Sequence, residues 1–280
     1  MSHLERIIRP RRAWFSIDWR RLLQYRDLLW TLVRRDFVAR YQQTILGPAW
    51  FVIQPLVASL AFTAVFGRAL HTSTDQVNPF LFYLCGMLPW GFFSNILSNA
   101  GNTFQANAAV FTKVYFPRLI VPCAVVIGCL APLALQLVVF LAFYLPAVAG
   151  GHTAGPDWTL LALLPLVTLQ LSLLGLGTSL LTSGFSAKYR DLQHALPFLV
   201  QIWLFVTPVI YPVSQLGPRA RVLAGFNPLT PLVESFRRAF FGTGTVTPVL
   251  MGMSLAGTLL LLAAGLYSFQ RAERTFADTV

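Results

Sequence analysis

Six stretches of this chain run 27 residues or more without a single Lys, Arg, Asp or Glu: 41–67, 76–112, 119–156, 158–187, 192–218 and 239–270. A helix needs about 20 residues to cross about 30 Å of hydrocarbon, so each stretch is long enough to span a bilayer. The ten carboxylates and 21 basic residues fall in the tails and joints between these stretches. The pattern predicts an all-α integral membrane protein with six transmembrane helices, and its function is to be sought as a membrane function.

Composition points the same way. Hydrophobic residues make up 56% of the chain and charged ones 11%, against about a quarter charged in soluble domains. The net charge of +11 does not signal nucleic acid, because ten of the 21 basic residues lie in the first 40 positions, beside the first apolar stretch. That placement follows the tendency of Lys and Arg to stay cytoplasmic, against anionic lipid. Positions 1–40 lack the apolar core and small-residue cleavage site of a signal peptide. Cys85, Cys123 and Cys129 sit in apolar runs with no metal spacing and read as small buried hydrophobes.

Charge also orients the chain. With the N-terminus inside and six spans, sixteen basic residues fall in cytoplasmic segments: the ten from Arg6 to Arg40, then Lys113, Arg118, Lys188, Arg190, Arg271 and Arg274. Five fall outside, and four of those (Arg219, Arg221, Arg237 and Arg238) lie in one joint, 213–246. N-in/C-in is therefore preferred.

Residues 1–45 read as a cytoplasmic tail carrying an amphipathic helix over 16–41. Trp19, Leu22, Leu23, Leu29, Trp30, Val33, Phe37 and Tyr41 project within roughly one third of a helical wheel. Such a helix lies in the membrane interface. Gly47-Pro48 breaks the path. The spans are expected at about 48–67, 80–100, 118–148, 158–185, 193–212 and 247–269, within a permease domain over 46–270 and before a cytoplasmic tail at 271–280. Gly175 and Gly177 in the fourth span permit close helix contact.

Several chemistries are excluded. Of the two lysines, neither Lys113 nor Lys188 stands in a phosphate-binding Gly-x-x-x-x-Gly-Lys context. ATP-driven work would belong to another polypeptide. His3, His71, His152 and His194 lie far apart, and no metal site is expected. No carboxylate lies within the apolar cores of the spans, where a proton- or sodium-coupled carrier keeps its working charges.

Three motifs carry a resemblance. They are RRDFVARYQQTILGPAWFVIQP at 34–55, FTKVYFPRLIVP at 111–122 and KYRDLQHALPFLVQIWLFVTPVIYP at 188–212, the last followed by FNPLTPLVESFRRAFFG at 226–242. In this order they resemble the type 2 ABC permeases that export polysaccharide and polyol-phosphate chains such as O-antigen, capsule or teichoic acid. The resemblance covers about 34–270. It implies a homodimer of permeases in the bacterial cytoplasmic membrane, two separate nucleotide-binding ATPase subunits that hold ATP and magnesium, and a lipid-linked glycan as substrate. No cofactor is expected on this chain.

The resemblance also assigns roles. The 101–117 joint would be a coupling helix docked on the ATPase, with Phe104, Ala108, Phe111 and Tyr115 on one apolar side. Lys113, Arg190 and Asp191 complete that expected surface. The 213–246 joint holds Pro218, Pro228 and Pro231 among apolar residues. It is too broken to span, and would be a re-entrant pair of external gate helices. Within it, Glu234 can pair with Arg237 or Arg238 at i, i+3 or i, i+4. Trp90, Phe92, Phe93, Trp203, Phe205 and Tyr211 are expected to line a glycan path, because aromatic faces suit sugar rings. Two alternatives stay open at this point: a type 2 permease for a drug or small lipid, and a membrane transferase acting on polyprenyl-linked sugars. The absence of a carboxylate cluster disfavours the latter.

Overall fold

The computed structural model describes residues 24–41, 45–107, 111, 116–189 and 191–279. Among the described residues ten helices follow one another, with a 3-10 turn at Val213–Gln215 between the seventh and the eighth, and no strand occurs. They are α1 (Arg26–Tyr41), α2 (Gly47–Ala69), α3 (Pro79–Ala100), α4 (Thr103–Ala106), α5 (Ile120–Ala149), α6 (Trp158–Ser186), α7 (Leu192–Val206), α8 (Pro218–Phe226), α9 (Leu229–Phe241) and α10 (Pro248–Thr279). Five of them, α2, α3, α5, α6 and α10, are long and apolar enough to cross a membrane.

The boundaries follow local chemistry. Gly47 adopts φ +50°, where a side chain would be strained, and Pro48 then opens α2. Asn78 caps α3 by accepting from Phe80 N, with Pro79 in the first turn. Asp157 caps α6 by accepting from the backbone N–H groups of Thr159 and Leu160. Gly242, at φ +68°, closes α9 in the left-handed conformation that ends helices.

The central helix is α3, with 72% of its apolar stretch buried against the rest of the chain, whereas α2 has 6%. Contacts to α3 fix the directions of its neighbours. α2 runs antiparallel to it, with Gly67 beside Pro79 and the Phe62 ring 6.0 Å from Tyr83. α5 is also antiparallel, since Phe80 meets Phe143 and Gly91 meets Gln136. α6 is parallel, with Ile96 against Gly175 and Gly101 against Ser186. α7 is antiparallel, with Gly101 near Leu196 and Phe93 near Trp203.

α10 is parallel to α6, and glycine makes their contact close. A Cβ on Gly177 would stand 2.7 Å from Leu262 Cα, one on Gly184 would strike Ser268, and one on Gly265 would strike Gly177 O. Gly175 fits against α3 and Gly177 against α10, so the two expected contact glycines serve different neighbours. Gly184 and Gly265 extend the seam beyond that expectation. The directions of α2, α3, α5, α6, α7 and α10 therefore alternate along the chain.

Two differences from the sequence reading stand out. The apolar stretch at 193–212 yields a helix of only 15 residues, ending at Val206. That is about 22 Å at 1.5 Å per residue, short of the ~30 Å hydrocarbon thickness. The cause is Thr207-Pro208: a residue before proline is driven out of helical conformation, and Thr207 sits at ψ 137°. The second difference is the N-terminal helix. Trp19, Leu22 and Leu23 lie outside the described residues. Within α1, Leu29, Val33 and the buried Leu32 pack toward α5, whereas Trp30 is 62% exposed. Leu32 lies about 200° around the helix from Trp30, so a helix seated on Leu32 turns Trp30 away.

Candidate functional site

The helix directions sort the joints into two ends. At one end lie α1, the 101–119 joint, the 187–191 joint and the last turns of α10. Gln105 Nε2 donates to Ser186 O at 2.6 Å, and Arg118 Nη1 donates to Glu273 O at 2.9 Å. At the other end lie the 70–78, 150–157 and 207–247 joints. There Ser214 Oγ donates to Asp75 Oδ1 at 2.7 Å, and Asp157 N donates to Ala239 O at 2.9 Å.

The 207–247 segment builds the most elaborate polar arrangement among the described residues. α8 is outlying, with Val222, Leu223 and Phe226 exposed. α9 is the reverse. Every side chain from Leu229 to Phe241 except Arg238 is buried, and the helix packs on α3 and α6. It is a helix sunk into the bundle. Asn227 turns the corner between α8 and α9. Its Oδ1 accepts from Leu229 N at 3.1 Å and from Trp203 Nε1 at 3.3 Å, and its Nδ2 donates to Thr207 Oγ1 at 2.9 Å.

Arg237 is the largest fully buried side chain of the described chain. Its Nη1 donates to Glu234 Oε1 at 2.8 Å and to Pro208 O at 2.6 Å, and Nη2 donates to Val209 O at 2.6 Å. The guanidinium carbon stands 3.8 Å from the centre of the Phe82 ring. On the other side of the pair, Glu234 Oε2 accepts from Thr245 N at 2.9 Å. Gly86 of α3 makes room: a Cβ there would lie 3.1 Å from Arg237 Nη2.

The logic is that of a broken helix end. α7 stops at Val206, ahead of Pro208, so the carbonyls that follow have no helical donor, and buried carbonyls must be satisfied inside the protein. Arg237 supplies donors to two of the carbonyls beyond the break. The Tyr211 hydroxyl supplies another, to Phe205 O at 3.0 Å. Glu234 neutralises the guanidinium, so the group is a paired buried charge and not an isolated one.

The sequence-predicted site residues separate accordingly. Glu234 pairs with Arg237, as the i, i+3 spacing allows. Arg238 does not join them; its Nη1 donates to Val246 O at 2.8 Å. In the joint at the opposite end, Phe104 and Phe111 are 0% and 8% exposed. Phe104 stacks on Phe269 at 4.6 Å and Phe111 meets Phe104 at 6.1 Å. Their apolar side is covered by this chain, which surrounds it with Leu32 of α1, Phe116, Ile120 of α5, Leu180 of α6 and Phe269 of α10. It is not free for a partner. Asp191 is exposed; Ala108, Lys113, Tyr115 and Arg190 lie outside the described residues.

The expected path aromatics divide into a buried set and a more accessible one, which touch where the Phe93 ring lies 5.1 Å from Trp203. Trp90, Phe92 and Phe93 are buried in the core around α3, a helix buried over most of its apolar stretch. Trp203 is half-buried and bonded to Asn227, Tyr211 is half-buried with its hydroxyl on the end of α7, and Phe205 is exposed. Sequence reasoning missed Asn227, Phe82 and Gly86, whose signal exists only once Arg237 is known to be buried.

Known proteins resemble this chain in sequence. The ABC-2 type transporter family matches residues 27–241. An O-antigen export system permease protein, RfbA, of Myxococcus xanthus is 29% identical over 266 residues, covering 93% of this chain and 98% of its own. A protein of the same name from Klebsiella pneumoniae is 25% identical, covering 90% and 94%. The polysialic acid transport protein KpsM of Escherichia coli is 24% identical, covering 86% and 92%. The matched region takes in α1, the alternating helices up to α7 and the sunken α9, and the chain belongs to the ABC-2 type transporter family.

Proposed function

We propose that this chain is the membrane-spanning permease subunit of an ATP-driven exporter that moves a lipid-linked polysaccharide across the cytoplasmic membrane of a bacterium. The observation that carries this reading is the end-to-end match to relatives named for O-antigen export and polysialic acid transport. The alternating directions of six apolar helices support a six-span, N-in/C-in arrangement. In it α7, together with the 207–212 break, completes the fifth crossing. The end bearing α1 and the 101–119 joint would face the cytoplasm, and α8 and α9 would form an external gate.

Mechanistically, two copies of the chain would pair, each served by a nucleotide-binding subunit that holds ATP and magnesium. The 101–117 joint would dock on that subunit. Phe104 and Phe111 then act as its buried root in the bundle, and the contact surface falls to Ala108, Lys113, Tyr115, Arg190 and Asp191. ATP-driven closure would pull on this root and be felt by α10 through Phe269. The glycan path would run along the face where two copies meet, with Trp203, Phe205 and Tyr211 the accessible aromatics. This chain is not itself the ATPase.

Removing the chain in its native host should strip long glycan from the cell surface while leaving lipid-linked glycan inside. The chain should co-purify with an ATPase, and alone it should hydrolyse no ATP above a detergent blank. Unchanged surface glycan in the deletion strain would refute the export reading.

A further inference from the structure

Pro55 lies inside the Trp50–Phe62 part of α2. Proline has no N–H, so it cannot supply the hydrogen bond that would close the helical turn onto the carbonyl of residue 51, and its ring crowds that carbonyl. A donor does reach Phe51 O, and it comes from another helix. Gln136 Nε2 of α5 donates to it at 3.0 Å. Gln136 is buried within a helix otherwise dominated by apolar side chains, where an unpaired amide would be costly. Its neighbours are Val52, Leu56, Leu84, Leu88 and Val139. A Cβ on Gly91 of α3 would stand 3.5 Å from its Oε1. Three helices meet around this one amide.

α2 needs such a grip. It is the least buried of the five long helices. Beyond Pro55, Ser59 Oγ donates to Pro55 O and Thr63 Oγ1 donates to Ser59 O, each at 2.7 Å, a back-bonding pattern that bends helices. The helix then widens into a π-turn over Thr63–Ala69. π-turns interrupt the regular bonding and mark places where a helix can change path. α2 thus carries successive irregularities and little apolar burial to hold it at one angle.

We infer that Gln136 is a positioning residue for α2: it replaces the hydrogen bond that Pro55 removes and so fixes the angle at which the first half of α2 lies against α5. The chemistry is reciprocal. The proline creates the acceptor, and the glutamine is useful because the proline is there. The inference concerns helix position within one chain and does not rest on the identity of the exported substrate.

A cycle of four full-length proteins tests it: wild type, Gln136→Leu, Pro55→Ala and the double variant, all with Cys85, Cys123 and Cys129 replaced. Spin labels on cysteines at the exposed positions Trp50 of α2 and Leu130 of α5 report the helix separation in detergent. Gln136→Leu should add a second population to the distance distribution and lower the melting temperature. Pro55→Ala restores an N–H at position 55, so in that background Gln136→Leu should leave both readouts nearly unchanged. An unaltered distribution in the Gln136→Leu single variant would overturn the inference. So would an equal effect of Gln136→Leu beside Pro55 and beside Ala at that position. If the single and double variants both fail to fold, Gln136 serves some other group, and the assignment is likewise overturned.

Discussion

Glu234 and Arg237 lie one turn apart on α9, joined at 2.8 Å with both side chains 1% exposed. The pair is a structural fastening and not a surface ion pair. It links the sunken helix to the broken end of α7 through Pro208 O and Val209 O and to the 243–246 turn through Thr245 N.

Removing one partner should therefore be severe. Arg237→Met leaves a buried carboxylate alone and two carbonyls without their donor, which should cost about 3–5 kcal/mol. Melting of the purified chain, followed by size-exclusion fluorescence, measures this. Adding Glu234→Gln to Arg237→Met should recover part of the loss, because the uncompensated charge is gone. A single variant that melts like the wild type would show that the pair fastens nothing.

Phe111→Asp should destabilise the chain itself. The side chain is buried between Phe104 and Phe116, with the Arg118 guanidinium 5.4 Å from its ring. A carboxylate placed there loses an aromatic packing contribution of about 3–5 kcal/mol and adds a desolvation cost that Arg118 offsets only in part. Reduced accumulation in the membrane checks this. Phe111→Leu should accumulate near wild-type levels.

Glycine substitutions within one helix should divide sharply. Gly265→Val drives a side chain into Gly177 O and Leu180, forcing α6 and α10 apart, at a cost of about 1–3 kcal/mol or more. Gly252→Ala on the same helix meets nothing within 4 Å, and should be neutral or stabilising by up to about 1 kcal/mol. Paired thermal melts decide the matter, and similar losses for both would contradict the tight seam.

The proposed topology predicts a labelling pattern. With Cys85, Cys123 and Cys129 replaced, a cysteine at Ala220, exposed on α8, should react with an impermeant thiol reagent added to intact cells or spheroplasts. One at Ala272 should react only after permeabilisation. Labelling of position 272 from outside would reverse the orientation and remove the gate reading of α9.

Much of the fold follows from local chemistry, because each long helix is set by an apolar run, and three of them begin at a cap or a proline beside that run. Asn78 before Pro79, Asp157 before Trp158 and Gly47-Pro48 mark helix starts that the chain announces by itself. The N-terminal concentration of arginine and the absence of a phosphate-binding loop are equally sequential properties. Side-chain environment is different in kind. Whether Phe104 docks on a partner or on Phe269, whether Glu234 meets water or Arg237, and whether Trp90 faces a passage or a core depend on residues far off in the chain. The length of α7 shows the boundary between the two. Thr207-Pro208 ends the helix for a local steric reason, but the carbonyls of Pro208 and Val209 gain their donor from Arg237, some 30 residues later, which folds back to donate to both. Helices in this protein are written by neighbours in sequence. Its polar sites are decided by the tertiary structure, since a buried donor must find its acceptor wherever packing brings one.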